Sequence, residues 1–199
     1  LIEEALQNYP GVKWSLEGEA REQSDIFQSL IKMTFLALFI IYALLAIPLK
    51  SYIQPIIIMS IIPFGLIGAI GGHFILSHPV SILSILGFVA LTGVVVNDSL
   101  VMIDYINKAR LSGESIKDAI EHSGVARFRP ILLTSLTTFA GLMPILFETS
   151  LQAQFLIPMA ISLSFGVLFA TFITLILVPS FYFMIYDLQS FFSNDNDQI

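Results

Sequence analysis

Five long apolar runs constrain this chain more than any other feature. They cover approximately residues 29–48, 53–76, 81–106, 130–148 and 155–186, and about 20 predominantly apolar residues are enough for a helix to cross the hydrocarbon of a bilayer. In lipid each backbone N–H and C=O must be satisfied within the protein, so runs of this length are expected as spanning α-helices. The last run is long enough to extend beyond the hydrocarbon. Composition points the same way: 56% of the 199 residues are hydrophobic and 12% charged, with a mean hydropathy of +0.85, far oilier than an average soluble domain. The predicted class is an all-α membrane protein, a bundle of five transmembrane helices over residues 26–189 with the lipid bilayer around it.

The flanking segments differ in character. Residues 1–25 are polar enough to be aqueous: Ile2, Ala5, Leu6 and Tyr9 fall at helical spacing, Asn8-Tyr9-Pro10-Gly11 is a turn signal, and Val12, Trp14 and Leu16 alternate with polar neighbours. This reads as a short helix, a turn and a strand, with Trp14 as core. So small an α/β piece cannot build a core alone and is expected to be the end of a water-exposed domain lying upstream. The chain starts at Leu1 with no methionine, basic n-region or cleavage site, so it is read as part of something longer. Lys108 to Arg129 is a polar stretch in which Ile116, Ala119, Ile120 and Ser123 share one face, predicting an amphipathic helix over about 113–125 on the membrane surface. Residues 190–199 are expected as a disordered tail.

Charge sets an expected orientation. Lys108, Arg110, Lys117, Arg127 and Arg129 fall in the 108–129 loop and Lys50 in the 49–52 turn, whereas the turns near 77–80 and 149–154 carry no basic residue. Short cytoplasmic loops carry the excess of Lys and Arg, so the N-terminal piece is placed outside and the C-terminus in the cytoplasm. Six acids gather in the first 25 positions (Glu3, Glu4, Glu17, Glu19, Glu22, Asp25), and a polybasic face for nucleic acid is excluded. Cysteine is absent, which leaves no disulfide framework or thiolate metal site to consider and keeps the redox compartment open. His73 and His78 read as interfacial residues, and three scattered histidines make no metal site.

Within the spans, the run GVVVNDSLVMIDYIN (93–107) carries Asn97, Asp98 and Ser99 in an otherwise oily helix. At 1.5 Å per residue Asp98 lies roughly 14 Å from the cytoplasmic end, near the midplane. A carboxylate there costs on the order of 2.5 to 3.5 kcal/mol on insertion scales, so it is expected to face a partner or a wet cavity and to be functional. Asp104 is nearer water and one helical turn before Lys108, and a simple ion pair accounts for it. Asn97 and Asp104 share a face from which Asp98 is turned by about 100°. In the fourth span, Pro130 suits a first turn. Thr134, Ser135, Thr137 and Thr138 follow it; such hydroxyls either back-bond to their own helix or join helices. Thr134 and Thr138 are placed to meet the Asn97 face of a neighbouring span in a polar thread. Gly68 and Gly72 form a GxxxG, Gly65 and Ala69 a small-xxx-small pair, and Gly87 and Gly93 thin the third span, all expected to allow close helix packing. Pro63 predicts a kink in the second span.

Four stretches carry a resemblance: YPGVKWSLEGEAREQ, IIPFGLIGAIGGHF, GVVVNDSLVMIDYIN and, most specifically, ARFRPILLTSLTTFAGLMPILF. Together they resemble the C-terminal end of the inner-membrane subunit of a resistance-nodulation-division efflux pump of the AcrB-like type, as spans eight to twelve of a twelve-span protomer behind the last piece of a periplasmic porter domain. The resemblance covers essentially the whole chain. It implies a bacterial inner-membrane, proton-driven multidrug antiporter rather than an enzyme, with protons as the coupling ion and no other cofactor. It further implies a homotrimer when full length, docked to a periplasmic adaptor and an outer-membrane channel, in which this segment supplies half of the proton-relay bundle.

In that family the relay joins two aspartates of the fourth span, which lie upstream of Leu1, to a lysine, an arginine and a threonine of later spans. By the matching motifs Arg127 stands at the arginine and Thr134 at the threonine, while Asn97 stands where relatives carry the lysine. Its absence removes a positive charge that favours ionised carboxylates. The expectation is that Asn97 serves as a hydrogen-bond partner and Asp98 as an additional or alternative proton carrier, with Asp104, Ser135 and Thr138 as further polar contacts. Two other classes compete: a SecD/SecF-like protein-export component, and an intramembrane aspartyl protease. The second needs carboxylates converging on one water, whereas Asp98 and Asp104 lie on one helix about 9 Å apart in rise.

Overall fold

The computed structural model describes residues 18–194, and among these every regular element is helical. The helices are α1 (Glu19–Leu49), α2 (Gln54–Met59), α3 (Ile62–Ile75), α4 (Ile82–Leu111), α5 (Ile116–Leu146), α6 (Leu151–Gln154) and α7 (Ile157–Asn194). Five stretches are long and apolar enough to cross a membrane: Arg21–Leu49, Gln54–Ile75, Ile82–Leu111, Ile116–Leu146 and Ile157–Asp187. The chain divides into two units, residues 1–39 and 40–199. The expected strand of the N-terminal α/β piece, with Trp14, lies outside the described residues.

Several boundaries differ from the sequence reading. Helix α1 begins at Glu19, about two and a half turns before the expected span, where Gly18 at φ 70° turns the chain and its carbonyl accepts from the amides of Arg21 and Glu22. The second span is two helices. Its break falls at Ser60–Ile61, with Pro63 in the first turn of α3, where a missing N–H costs nothing. The largest difference is α5, in which the expected surface helix and the fourth span form one helix of 31 residues. Ser115 starts it, accepting from the Asp118 amide at 3.2 Å and donating to the Asp118 carboxylate at 2.6 Å. Pro130 therefore sits in the helix interior rather than at its start. One missing backbone bond, to the Ala126 carbonyl, is tolerated because the turns on both sides continue the helix. Helix α7 runs to Asn194, into the segment expected as a disordered tail.

Helix α7 is the centre of the second unit and packs against α3, α4 and α5. The core comes from one face of each: Ile58 and Ile61 around the α2–α3 break, Leu91, Met102, Ile103 and Ile106 of α4, and Ile161, Val167 and Val178 of α7. Glycines set the tightest seam. A Cβ on Gly72 would meet the Phe165 ring at 2.5 Å, and one on Gly87 would meet the Met159 carbonyl oxygen at 2.6 Å. Gly68 faces Phe169, and Gly65 lies against Leu91. Gly93 faces open space instead, so it thins α4 against nothing among the described residues.

Candidate functional site

The serine at the start of α4 fixes its register: Ser81 Oγ accepts from the Ser84 amide at 3.4 Å while Ser84 Oγ accepts from the Ser81 amide at 3.0 Å, a reciprocal cap that satisfies two orphan donors. From that start Leu91, Val95, Asp98 and Met102 recur at helical spacing on the buried face. Asp98 is thus carried into the packed side of the bundle and is 6% exposed. It is the one buried acidic side chain among the described residues. The adjacent Ser99 hydroxyl is spent on its own helix, donating to the Val95 carbonyl at 2.8 Å. Asn97, one residue earlier, points to the outside of the bundle, as the 100° step requires.

On α5, Arg127 lays its guanidinium over the Tyr105 ring of α4 at 5.3 Å, a cation–π contact, and its Nε is buried without a hydrogen-bond partner among the described residues. The threonines behave differently from the expected thread. Thr134 donates to the Pro130 carbonyl at 2.9 Å, Thr138 to Thr134 at 2.8 Å, and Thr137 to Leu133 at 2.9 Å. All three back-bond to α5 itself, and none reaches Asn97. Thr134 lies exposed on the outside of α5. The hydroxyl that does cross between helices is Ser135, fully buried, which bonds Thr171 of α7 and donates to the Ile131 carbonyl.

Two further polar contacts tie the bundle at its ends. His73 is buried, not interfacial: its Nε2 lies 2.9 Å from Ser162 Oγ and its Nδ1 3.2 Å from the His78 carbonyl oxygen. At the opposite end Asn107 and Gln54 exchange a pair of amide hydrogen bonds at 2.9 and 3.0 Å, and Tyr182 Oη donates to Asn107 at 2.8 Å. Asp104 is held by Lys108 Nζ at 2.6 Å and is partly exposed, so it does not converge with Asp98. Sequence reasoning missed Thr171, Ser162 and the amide pair. The signal for Thr171 was a stripe of small polar residues on α7, with Ser164, Thr171 and Thr174 buried at intervals of seven and three; Ser162 and the amide pair join residues 89 and 53 positions apart and left no local trace.

The structure separates the residues singled out from the sequence into two sets. Asp98 and Ser135 are internal, whereas Asn97 and Thr134 face outward from α4 and α5. A model of the AcrB/AcrD/AcrF family matches residues 1–186. Among curated relatives, the chain is 28% identical over 183 residues to multidrug resistance protein MdtC of Yersinia enterocolitica, covering 92% of this chain and 18% of that protein. It is 29% identical over 177 residues to MdtC of Proteus mirabilis, covering 86% of this chain and 17% of that one. Crystal form II of a heavy metal efflux pump superposes with a TM-score of 0.78 at 25% identity, over 94% of this chain and 19% of the pump. The chain therefore spans less than a fifth of the length of these relatives. With the family match running through all five long apolar helices, this multi-pass membrane chain belongs to the AcrB/AcrD/AcrF family.

Proposed function

We propose that this chain is the closing membrane segment of a proton-driven efflux transporter of the bacterial inner membrane, supplying part of its proton path. The observation that carries the reading is Asp98, a carboxylate turned into the bundle near the middle of a 30-residue apolar helix, a depth at which an ionisable side chain marks an ion or proton path by default. Asn97, Thr134 and Arg127 complete the reading as the relay positions that meet the preceding spans: two are exposed and the third retains an unpartnered buried Nε. The N-terminal end is periplasmic and the C-terminus cytoplasmic, on the strength of the basic residues at 50 and 108–129. The whole transporter works as a homotrimer with a periplasmic adaptor and an outer-membrane channel.

The test is efflux and proton flux in the full-length transporter in proteoliposomes. Asp98→Asn is expected to reduce both about a hundredfold or more, the contribution typical of a positioned proton-transfer group. Asn97→Ala is expected to reduce both less. If both variants transport normally, the reading of this helix is wrong. Amphiphilic drugs are the proposed cargo, in keeping with the MdtC relatives. A second cargo class, heavy-metal ions, is favoured by the likeness to the solved heavy metal efflux pump. Drug and metal susceptibility of a pump-deleted strain carrying the full-length gene separates the two.

A further inference from the structure

Where α4 finishes, the end of α1, the turn after it, the start of α2, the last turns of α4 and Tyr182 of α7 line a cleft of about 540 Å³. Its charged lining is Lys50, Lys108, Arg110 and Asp104. Lys108 is committed to Asp104, which leaves Lys50 and Arg110 as the excess positive charge. Arg110 is presented by stacking: its guanidinium carbon lies 4.7 Å above the centre of the Tyr186 ring, which uses the face of the group and leaves its N–H edge directed outward. Lys50 adopts φ 48°, a left-handed conformation costing about 1–2 kcal/mol for a residue with a Cβ. Glycine or asparagine is the ordinary occupant of such a turn, and here it carries a lysine. Ser51 adds a donor, because its Oγ accepts from the amides of Ile53 and Gln54 at 3.3 Å and its hydroxyl hydrogen is left over.

The rim decides what kind of anion fits. Leu111 lines the cleft and is 88% exposed, and Ile47, Tyr52 and Ile53, which flank its lining residues in the chain, are exposed as well, so apolar surface adjoins the cationic cleft. A soluble phosphate would use the charges and leave that surface wet. We infer that the cleft bounded by Lys50, Ser51, Gln54, Arg110 and Tyr182 is a binding site for the headgroup of an anionic phospholipid of the adjacent leaflet. Two cations and a hydroxyl donor meet the phosphodiester, and Tyr182 closes the inner wall through its bond to Asn107. Basic pockets between helices at the end of a bundle suit such headgroups, each Lys or Arg contributing through the negative surface potential. The inference depends on the membrane reading of the helices and not on proton coupling, so loss of the transport proposal would leave it standing.

The experiment uses the full-length transporter, stripped of lipid in detergent and titrated with nanodisc-borne phosphatidylglycerol against phosphatidylcholine, with bound lipid read by native mass spectrometry. Retention of phosphatidylglycerol is expected to fall about fivefold for each charge removed in Lys50→Asn and Arg110→Gln. Asparagine keeps the left-handed turn, so Lys50→Asn reads the charge without disturbing the fold. A control pair on the same side, Lys117→Gln with Arg129→Gln, removes equal charge away from the cleft and is expected to leave retention unchanged. Equal losses in the two pairs would reduce the effect to diffuse surface attraction and overturn the site. So would equal retention of the two lipids, or displacement of phosphatidylglycerol by glycerol phosphate at matched concentration, which would mark a free-anion site.

Discussion

The seam between α3 and α7 and the outer face shared by α4 and α5 are built from similar letters and do opposite things. In the seam, Gly68 and Gly72 admit Phe169 and Phe165 so closely that no side chain fits, and the polar residues there, His73 and Ser162, find each other. On the outer face, Gly93 meets nothing, and Asn97 and Thr134 point away from the bundle. Burial follows the same division: 50% of the most apolar stretch of α7 is buried and 11% of that of α5. Small and polar residues in a membrane helix therefore have no fixed meaning. Against α7 they hold the bundle together, and away from it they stay open on the surface of the described residues.

Mutations can break or sharpen this contrast in the full-length protein. The largest effect is expected from Gly72→Leu, which forces atoms into the Phe165 ring; overpacking of about 1–3 kcal/mol should lower the melting temperature in detergent and the yield of monodisperse transporter. Gly93→Leu is expected to leave the α3–α7 seam as protected from hydrogen exchange as in the parent protein, and equal loss of that protection for both would remove the distinction between seam and outer face. Next comes His73→Leu, which deletes the hydrogen bonds of His73 to Ser162 and to the His78 carbonyl and should cost roughly 1–3 kcal/mol, seen as faster hydrogen exchange at the end of α3.

A smaller effect separates two adjacent hydroxyls. Ser135→Ala should cost about 0.6 kcal/mol, the typical worth of an interhelical bond in a membrane, and leave transport intact. Thr134→Val should spare stability and reduce transport, because its hydroxyl only back-bonds in α5 and is open to an incoming partner. Reversal of that pattern in melting and efflux assays would mean that the outward face is the structural one.

The smallest effect is in the loop after α5, where Glu148 accepts from the amides of Thr149 and Ser150 at 3.0 and 3.1 Å. These two donors hold its carboxyl below the usual carboxylate range, the Ser150 bond contributing most. A depressed folded-state value means that the stabilisation is present above the ordinary carboxylate pKa and is lost as pH falls through the folded one. Protease resistance of the 147–156 segment should thus decline on acidification, and Glu148→Gln should flatten that dependence.

Much of the fold was legible because membrane helices are written locally. Length and hydropathy located all five spans, and the i,i+4 spacing of Asp104 and Lys108 was enough to pair them. The candidate site was only half legible for the same reason. The 100° step separates Asn97 from Asp98, but nothing local says which of the two faces inward. Hydroxyls at 134, 135 and 138 look alike in a sequence, and only packing against α7 selects Ser135 as the one that crosses. Pro130 misled because a proline reads as a helix start, whereas the flanking turns carry the helix through it.

By itself, then, the sequence determined the class, the number of long apolar helices and the family motifs, since each depends on runs of neighbouring residues and on the cost of leaving backbone groups unpaired in lipid. The tertiary structure decided which helix is central, which glycines are in contact and which polar side chains are internal. Those depend on which face of each helix meets α7, a choice between surfaces of nearly equal hydrophobicity that side-chain shape settles.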